Sequence, residues 1–214
     1  MTIVKLLAPA LLFLLASCAS GPRSADVDRI TAEIVKASFR TEGPVNVNRL
    51  VQDDTNRLCS AADVAGKPLD AETTRAIEQA NFKAIVWPSD GNYVGDWREG
   101  ERIAQSGRGM TWTDEPAQAN GGNCYNCHQI DKAEISYGTI GPSLYNYGKL
   151  RGVTDPAGAA AKPIVEYTWG KIWNAKAYNA CSNMPRAGHS GILSEAQVRH
   201  LVGLLLDPKS PVNQ

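Results

Sequence analysis

The sequence predicts an all-α protein, and three observations lead to that class. Apolar residues recur at helical spacing in several stretches, most clearly in 194–207. Residues that favour helix N-termini precede those stretches. Gly and Pro are frequent from residue 87 onward, which suits a small helical domain with long loops.

Composition narrows the possibilities further. The chain has 214 residues, of which 43% are apolar and 21% charged, as in a soluble globular protein. The formal net charge is zero, so nothing points to nucleic-acid binding. This length fits one domain with an extension, and we expect a helical extension at 18–90 and the main domain at 91–214.

The N-terminus has the pattern of an export signal. Lys5 is the only charged residue before an apolar run of ten residues, 6–15, which is too short to cross a bilayer. We therefore predict a signal peptide over residues 1–17 and a periplasmic location. Residues 15–18 (LASC) resemble the bacterial lipobox, which implies that Cys18 is the first mature residue and carries lipid. The alternative is an ordinary signal peptide with an incidental cysteine.

Three helices are predicted in the extension. The first begins near Ser24, the second spans 47–58, and the third follows the N-cap residue Asp70 and ends before Pro88. The apolar stripe of the third helix consists of Ile77, Ala80, Ala84 and Ile85.

Three further helices are predicted after residue 90. They span 97–106, 164–174 and a C-terminal stretch that begins with an S-x-x-Q capping box, Ser194 and Gln197. Gly100 either lets the C-terminal helix approach closely or is a tolerated surface glycine, and we expect the two helices to cross. His200 lies off the apolar stripe of the last helix and is predicted at the surface.

The chemistry centres on the C-x-x-C-H motif formed by Cys124, Cys127 and His128. Two cysteines on one helical turn can hold a single haem c through thioether bonds, and the adjacent histidine then ligates the iron. A redox-active C-x-x-C pair needs a βαβ context, and a structural zinc needs more ligands than this chain supplies at suitable spacing. We therefore predict one covalent haem.

A second axial ligand must come from the opposite face of the porphyrin. Met184 is the favoured residue, because a thioether stabilises ferrous iron and Pro185 stiffens the loop that carries it. His189 is the competing ligand, and Met110, which precedes the motif, is a weaker one. We also expect the carbonyl of Pro142 to accept a hydrogen bond from the His128 ring.

Cysteine usage leaves one further pair. Of the five cysteines, the motif takes two and Cys18 belongs to the export signal. Cys59 and Cys181 remain as a disulfide candidate in an oxidising compartment, the alternative being two free thiols.

The order of the motif, Gly-Pro-Ser-Leu at 141–144, a downstream methionine and a capped C-terminal helix resembles a mono-haem class I cytochrome c. Three runs resemble the SoxX subunit of the sulfur-oxidation cytochrome SoxXA more closely: 167–172 (YTWGKI), 180–186 (ACSNMPR) and 204–213 (LLLDPKSPVN). The resemblance implies a cytochrome c-like haem domain ligated by His128 and Met184.

The resemblance also implies a function. It would make this chain the electron-accepting subunit of a heterodimer with a SoxA-type subunit, which conjugates thiosulfate oxidatively to a carrier-protein cysteine as an L-cysteine S-thiosulfotransferase. Catalysis would belong to the partner, and this chain would pass electrons to a downstream acceptor cytochrome. The alternative is a free periplasmic electron-carrier cytochrome.

Overall fold

The computed structural model of the chain describes residues 24–214, and this range is all-α. Its α-helices are α1 (Ser24–Ser38), α2 (Asp54–Val64), α3 (Ala71–Lys83), α4 (Trp97–Gln105), α5 (Tyr147–Leu150), α6 (Lys162–Trp173) and α7 (Glu195–Leu206). Short 3-10 turns lie between and after them, at Val47–Leu50, Cys124–Asn126, Ala159–Ala161, Ala175–Ala177 and Pro211–Asn213. The predicted signal peptide and Cys18 lie outside the described residues.

The described chain forms two units. Helix α1 belongs to the first, and its apolar residues Ile30 and Ile34 are exposed. Residues 42–214 form the second unit, so α2 and α3 pack in the same body as the C-terminal helices. None of the helices between residues 24 and 214 is long and apolar enough to cross a membrane.

Helices α4 and α7 cross closely, as the sequence predicts, and small residues make the crossing possible. A Cβ at Gly100 would overlap the carbonyl of His200, and a Cβ at Gly203 would overlap the carbonyl of Gly95. The amide of Gly95 donates to the carbonyl of Arg199 at 2.9 Å, which ties the residues just before α4 to α7. The absence of side chains at these glycines therefore sets the distance between the two helices.

The core lies between α6 and α7. Trp169 and Val198 are fully buried, and Trp169 stacks on Trp173 with ring centroids 5.6 Å apart. The capping box at Ser194 and Gln197 is present and starts α7 as predicted. Its apolar stripe buries Val198, Leu201, Val202 and Leu205.

Two predictions in the extension are wrong in detail. The stretch 47–58 is not one helix, because the side chain of Asp53 accepts a hydrogen bond from the amide of Asn56 and starts α2 there. In the third predicted stripe, Ala80 and Ala84 are exposed, and Asn81 is buried in their place. Its amide donates to the Thr55 hydroxyl at 3.1 Å, so hydrogen bonding makes this polar burial tolerable.

Candidate functional site

The loop that enters the C-x-x-C-H motif is anchored on the end of α4. The amide of Gly122 donates to the carbonyl of Ile103 at 2.8 Å, and the amide of Asn123 donates to the carbonyl of Ser106 at 3.0 Å. These bonds satisfy carbonyls that the end of a helix leaves without intrahelical partners. Asn123 adopts a left-handed conformation (φ 48°), which turns the chain into the motif. The position of Cys124 is therefore coupled to α4.

The motif itself forms one tight 3-10 turn. The amides of Cys127 and His128 both donate to the carbonyl of Cys124, at 3.1 and 3.0 Å. Both motif cysteines are free thiols in the structure. Burial raises the pKa of the Cys124 thiol to about 12, which keeps it protonated at neutral pH. A redox-active C-x-x-C pair usually has a lowered thiol pKa instead.

The His128 ring is held by a single directional contact. Its Nδ1 lies 2.7 Å from the carbonyl oxygen of Pro142, which can only accept, so Nδ1 carries the proton and Nε2 keeps its lone pair. A Cβ at residue 141 would overlap the imidazole, so Gly141 is required for this approach. The amide of Gly141 donates to the carbonyl of Cys127 at 2.7 Å and closes the loop over the motif. Together these contacts fix the orientation of the ring and leave Nε2 as its unprotonated nitrogen.

Met184 lies on a separate loop, residues 179–188, which we name the Met184 loop. The side chain is half-buried and packs against the same hydrophobic core as Cys124. The predicted disulfide between Cys59 and Cys181 is present, with the sulfur atoms 2.08 Å apart. It attaches this loop covalently to α2.

Polar contacts reinforce that attachment. Arg186 forms an ion pair with Asp53 at 2.5 Å, and the arginine side chain is only 13% exposed. The amide of Ala180 donates to the carboxylate of Glu78 on α3 at 3.3 Å. At the end of the loop, Gly188 packs so tightly on the ring of Trp173 that a Cβ would overlap it. The Met184 loop is thus held by α2, α3 and α6.

The aromatic residues of α6 have different surroundings. Trp169 is fully buried and donates its indole N–H to the carbonyl of Val86 at 3.0 Å, so it is core rather than the wall of a ligand site. Tyr167 is 41% exposed and faces a surface cavity. The buried indole Nε1 of Trp173 has no hydrogen-bond partner within residues 24–214. Buried indole N–H groups normally find an acceptor, so this donor suits an acceptor on a bound group.

The other two histidines have different surroundings. His200 is half-buried rather than fully at the surface, and its Nδ1 accepts from the amide of Asp96, the N-cap of α4, at 3.0 Å. His189 is exposed, and its backbone amide donates to the carbonyl of Trp173.

Sequence reasoning missed two residues that position the site. The sequence predicts Gly141 only as part of a loop, but the His128 ring can lie against it because it has no side chain. Asn120 links the entry loop to α7, since its side-chain amide donates to the carbonyl of Ile192 and its own carbonyl accepts from Gln197 at 2.6 Å. An Asn close before the motif carries no local signal for this bridge. Between residues 24 and 214, no three His, Cys, Asp or Glu side chains converge as a metal-binding cluster.

Comparison with known proteins identifies a relative of this chain. Over 164 residues the chain is 34% identical to a protein named as an uncharacterized lipoprotein of Aquifex aeolicus (strain VF5), covering 76% of this chain and 73% of the relative. The chain belongs to the family of that lipoprotein. No family model matches it. Membership is shown over most of both chains, and the name of the relative states only that it is a lipoprotein.

Proposed function

We propose that this protein is a mono-haem c-type cytochrome with a cytochrome c-like fold. In it, Cys124 and Cys127 attach one haem covalently, and His128 and Met184 ligate its iron. The main support is the hydrogen bond from His128 Nδ1 to the carbonyl of Pro142, next to two cysteines that lie on one turn and are not in a disulfide. It leaves Nε2 as the available donor atom next to the attachment points.

The residues present suit that prosthetic group. Iron held in a porphyrin needs only one or two axial ligands from the protein, which a histidine and a methionine on different loops can supply. The buried Trp173 N–H can donate to a haem carboxylate. When bound, haem supplies a one-electron redox couple.

The roles of the chain follow from chemistry at each atom. His128 is oriented by the carbonyl of Pro142, which fixes the proton on Nδ1. Met184 would contribute a soft thioether, which favours ferrous iron and raises the reduction potential. With both positions filled by the protein, electron transfer is favoured over substrate binding at the iron. His189 is the alternative ligand, but it is exposed whereas Met184 packs against the core.

We further propose that the chain is the electron-accepting subunit of a SoxXA-type thiosulfate-oxidising heterodimer. The support is the resemblance of 167–172, 180–186 and 204–213 to the SoxX subunit. The reactive sulfur chemistry would take place on a SoxA-type partner, so an enzymatic role belongs to the complex as an L-cysteine S-thiosulfotransferase. This chain would accept the released electrons and pass them to an acceptor cytochrome.

We place the protein in the periplasm, anchored through lipid on Cys18. The lipobox-like residues 15–18 and the lipoprotein name of the Aquifex relative support this location. A soluble periplasmic form, cut elsewhere in the signal peptide, is the other possibility. Detergent dependence of extraction, compared between the wild type and Cys18→Ala, separates the two.

The haem assignment is tested first by covalent attachment. The wild type, a Cys124→Ala/Cys127→Ala variant and a Cys59→Ser/Cys181→Ser control are produced with haem-attachment machinery and examined by haem-stained denaturing gels. We expect covalent haem in the wild type and in the control, and none in the Cys124→Ala/Cys127→Ala variant. Covalent haem in that variant, or its absence from the wild type, would contradict the proposal.

The partner assignment needs a separate experiment. Detergent extracts of native membranes and periplasm are run on a sizing column, with haem absorbance and protein identification across the peaks. Co-elution with a second, larger haem polypeptide supports the SoxXA-type heterodimer. Elution alone near the mass of this chain would favour the free electron carrier.

A further inference from the structure

A cavity of about 460 Å³ opens on the surface between α3 and α6, apart from the proposed haem site. Neither His128 nor Met184 lines it. Its lining residues are Phe82, Trp87, Tyr93, Pro163, Glu166, Tyr167 and Tyr178. We name it the aromatic cage, because five of these seven residues carry aromatic rings. Nothing in the proposed electron-transfer role uses them.

The rings follow one another as an arc of tilted walls. Neighbouring centroids are 6.4 Å apart for Tyr93 and Trp87, 5.8 Å for Trp87 and Phe82, 6.1 Å for Phe82 and Tyr178, and 4.9 Å for Tyr178 and Tyr167. The interplanar angles are 64°, 57°, 78° and 72° in the same order. Such tilted and edge-to-face contacts hold neighbouring rings against one another, and all five rings line the same cavity.

The surrounding structure holds the walls in place. Tyr93 packs edge-on against the fully buried Trp169, with centroids 5.6 Å apart. Trp169 in turn donates to the carbonyl of Val86, next to Trp87. A Cβ at Gly170 would overlap the Tyr178 hydroxyl, so that glycine lets the ring lie against α6. The cage is therefore formed before any ligand arrives.

One carboxylate lies among the rings. The pKa of Tyr93 is raised by burial and, to a smaller extent, by the Glu166 carboxylate. The pKa of Tyr178 is raised to about 12 by burial, by nearby tyrosines and by Glu166. Glu166 is thus electrostatically close to Tyr93, at one end of the arc, and to Tyr178, the next to last ring at the other. Its partner within the chain, Lys162, is 3.8 Å away and 68% exposed, which is a weak, solvated pair. A negative charge beside several ring faces favours a cation.

We propose that the aromatic cage is a binding site for an alkylated ammonium group carried by a small organic solute. Ring faces attract a cation through their quadrupoles, and alkylated ammonium groups lose less hydration free energy on entering such a site than a primary ammonium does. The Nζ of Lys171 lies 5.9 Å from the ring of Tyr178, so this ring already interacts with a cation of its own chain. The cage is large enough for a trimethylammonium group with its substituent.

The test uses choline as the probe and its uncharged carbon isostere, in which a tert-butyl group replaces trimethylammonium. Calorimetric titration is carried out on the full protein and on three variants: Phe82→Leu/Tyr167→Leu, Glu166→Gln and the control Tyr137→Leu. Tyr137 is also exposed but does not line the cage. Folding of each variant is checked by circular dichroism.

We expect choline to bind the wild type and the Tyr137→Leu control with equal affinity. Removal of two rings weakens binding by about tenfold, and loss of the Glu166 charge weakens it by a smaller factor and reduces its dependence on salt. The isostere binds at least about tenfold more weakly than choline. Equal affinity for the isostere, no binding of choline, or unchanged binding by the ring variant would each overturn the proposal.

Discussion

The His128 turn and the Met184 loop are held in place in opposite ways. His128 is fixed by contacts between residues close in sequence. The hydrogen bond to Pro142 spans 14 positions, and the hydrogen bonds within the turn span fewer positions. The Met184 loop is fixed by contacts far away in sequence, since the disulfide from Cys181 to Cys59 spans 122 positions. The ion pair from Arg186 to Asp53 crosses a similar distance.

This difference indicates that the two proposed ligands depend on different parts of the chain. The His128 turn is formed by residues 121–144 and anchored on the end of α4, and its hydrogen bonds do not involve α2. The Met184 loop depends on α2 and α3, which contain no motif of their own. Residues 42–90 therefore include the helices that hold the Met184 loop, and we expect that each loop can be perturbed without the other.

The largest expected effect comes from removing the disulfide. In a Cys59→Ser/Cys181→Ser variant we expect the free energy of unfolding to fall by about 2–5 kcal/mol, because a cross-link over a long loop strongly restricts the unfolded chain. Denaturant titration with tryptophan fluorescence measures the change. Reductant should destabilise the wild type by a similar amount and leave the variant unchanged.

The same variant tests whether the His128 turn and the Met184 loop are held independently. The NMR signals of the His128 ring should keep their wild-type positions, while those of the Met184 methyl group should shift. Equal shifts of the His128 and Met184 signals would show that the disulfide does not act on the Met184 loop alone. A loss of stability below about 1 kcal/mol would show that it contributes little to the fold.

The converse change is Gly141→Ala. The added methyl group would overlap the imidazole, so we expect the His128 ring to leave Pro142 and the stability to fall by about 1–3 kcal/mol. NMR of the ring N–H reports the broken bond, with the Met184 methyl signal unchanged. Gly107→Ala is the control, since a Cβ there makes only ordinary contact with Asn123. An unaltered His128 signal would argue against this steric role.

The smallest effect belongs to the ion pair of the Met184 loop. Burial raises the pKa of Asp53, but the Asn56 amide and the Arg186 guanidinium outweigh it and leave the pKa below its ordinary value of 3.8. A carboxyl with a lowered folded pKa stabilises the protein above its ordinary pKa, and this stability is lost as the pH falls through the lowered value. The Asp53→Asn variant removes the charge and keeps an N-cap oxygen.

We expect Asp53→Asn to be less stable than the wild type by at most about 1 kcal/mol at pH 7, because the carboxylate is partly solvated. Thermal unfolding at a series of pH values should show the difference shrinking in acid. Asp54→Asn is the matched control, since its pair with Arg57 is exposed and should contribute almost nothing. A deficit that is independent of pH would mean that the charge is not responsible.

The comparison also explains what could be predicted from the sequence. The C-x-x-C-H turn, the Pro142 contact and the caps at Asp70 and Ser194 depend on neighbours in the chain, and local patterns predict them. Cysteine counting predicts the pair Cys59 and Cys181 but not what the bond holds together.

Other features depend on distant partners and leave no local signal. Asn81 is buried because Thr55 and Asn174 lie nearby, which periodicity cannot show. The ring of His200 lies close to the backbone at Gly95, which is possible because Gly95 has no side chain. The start of α2 does have a local signal. Asp53 precedes Asn56 by three positions, which is the spacing of an N-cap hydrogen bond, and this separates α2 from the 3-10 turn Val47–Leu50.

We propose that one haem iron is ligated by His128 from the C-x-x-C-H turn and by Met184 from the Met184 loop. Magnetic circular dichroism of the ferric protein distinguishes a histidine–methionine pair from two histidines. We predict the histidine–methionine spectrum for the wild type and for His189→Ala, and its loss in Met184→Ala. A spectrum of two nitrogen ligands that changes in His189→Ala and persists in Met184→Ala would contradict the account.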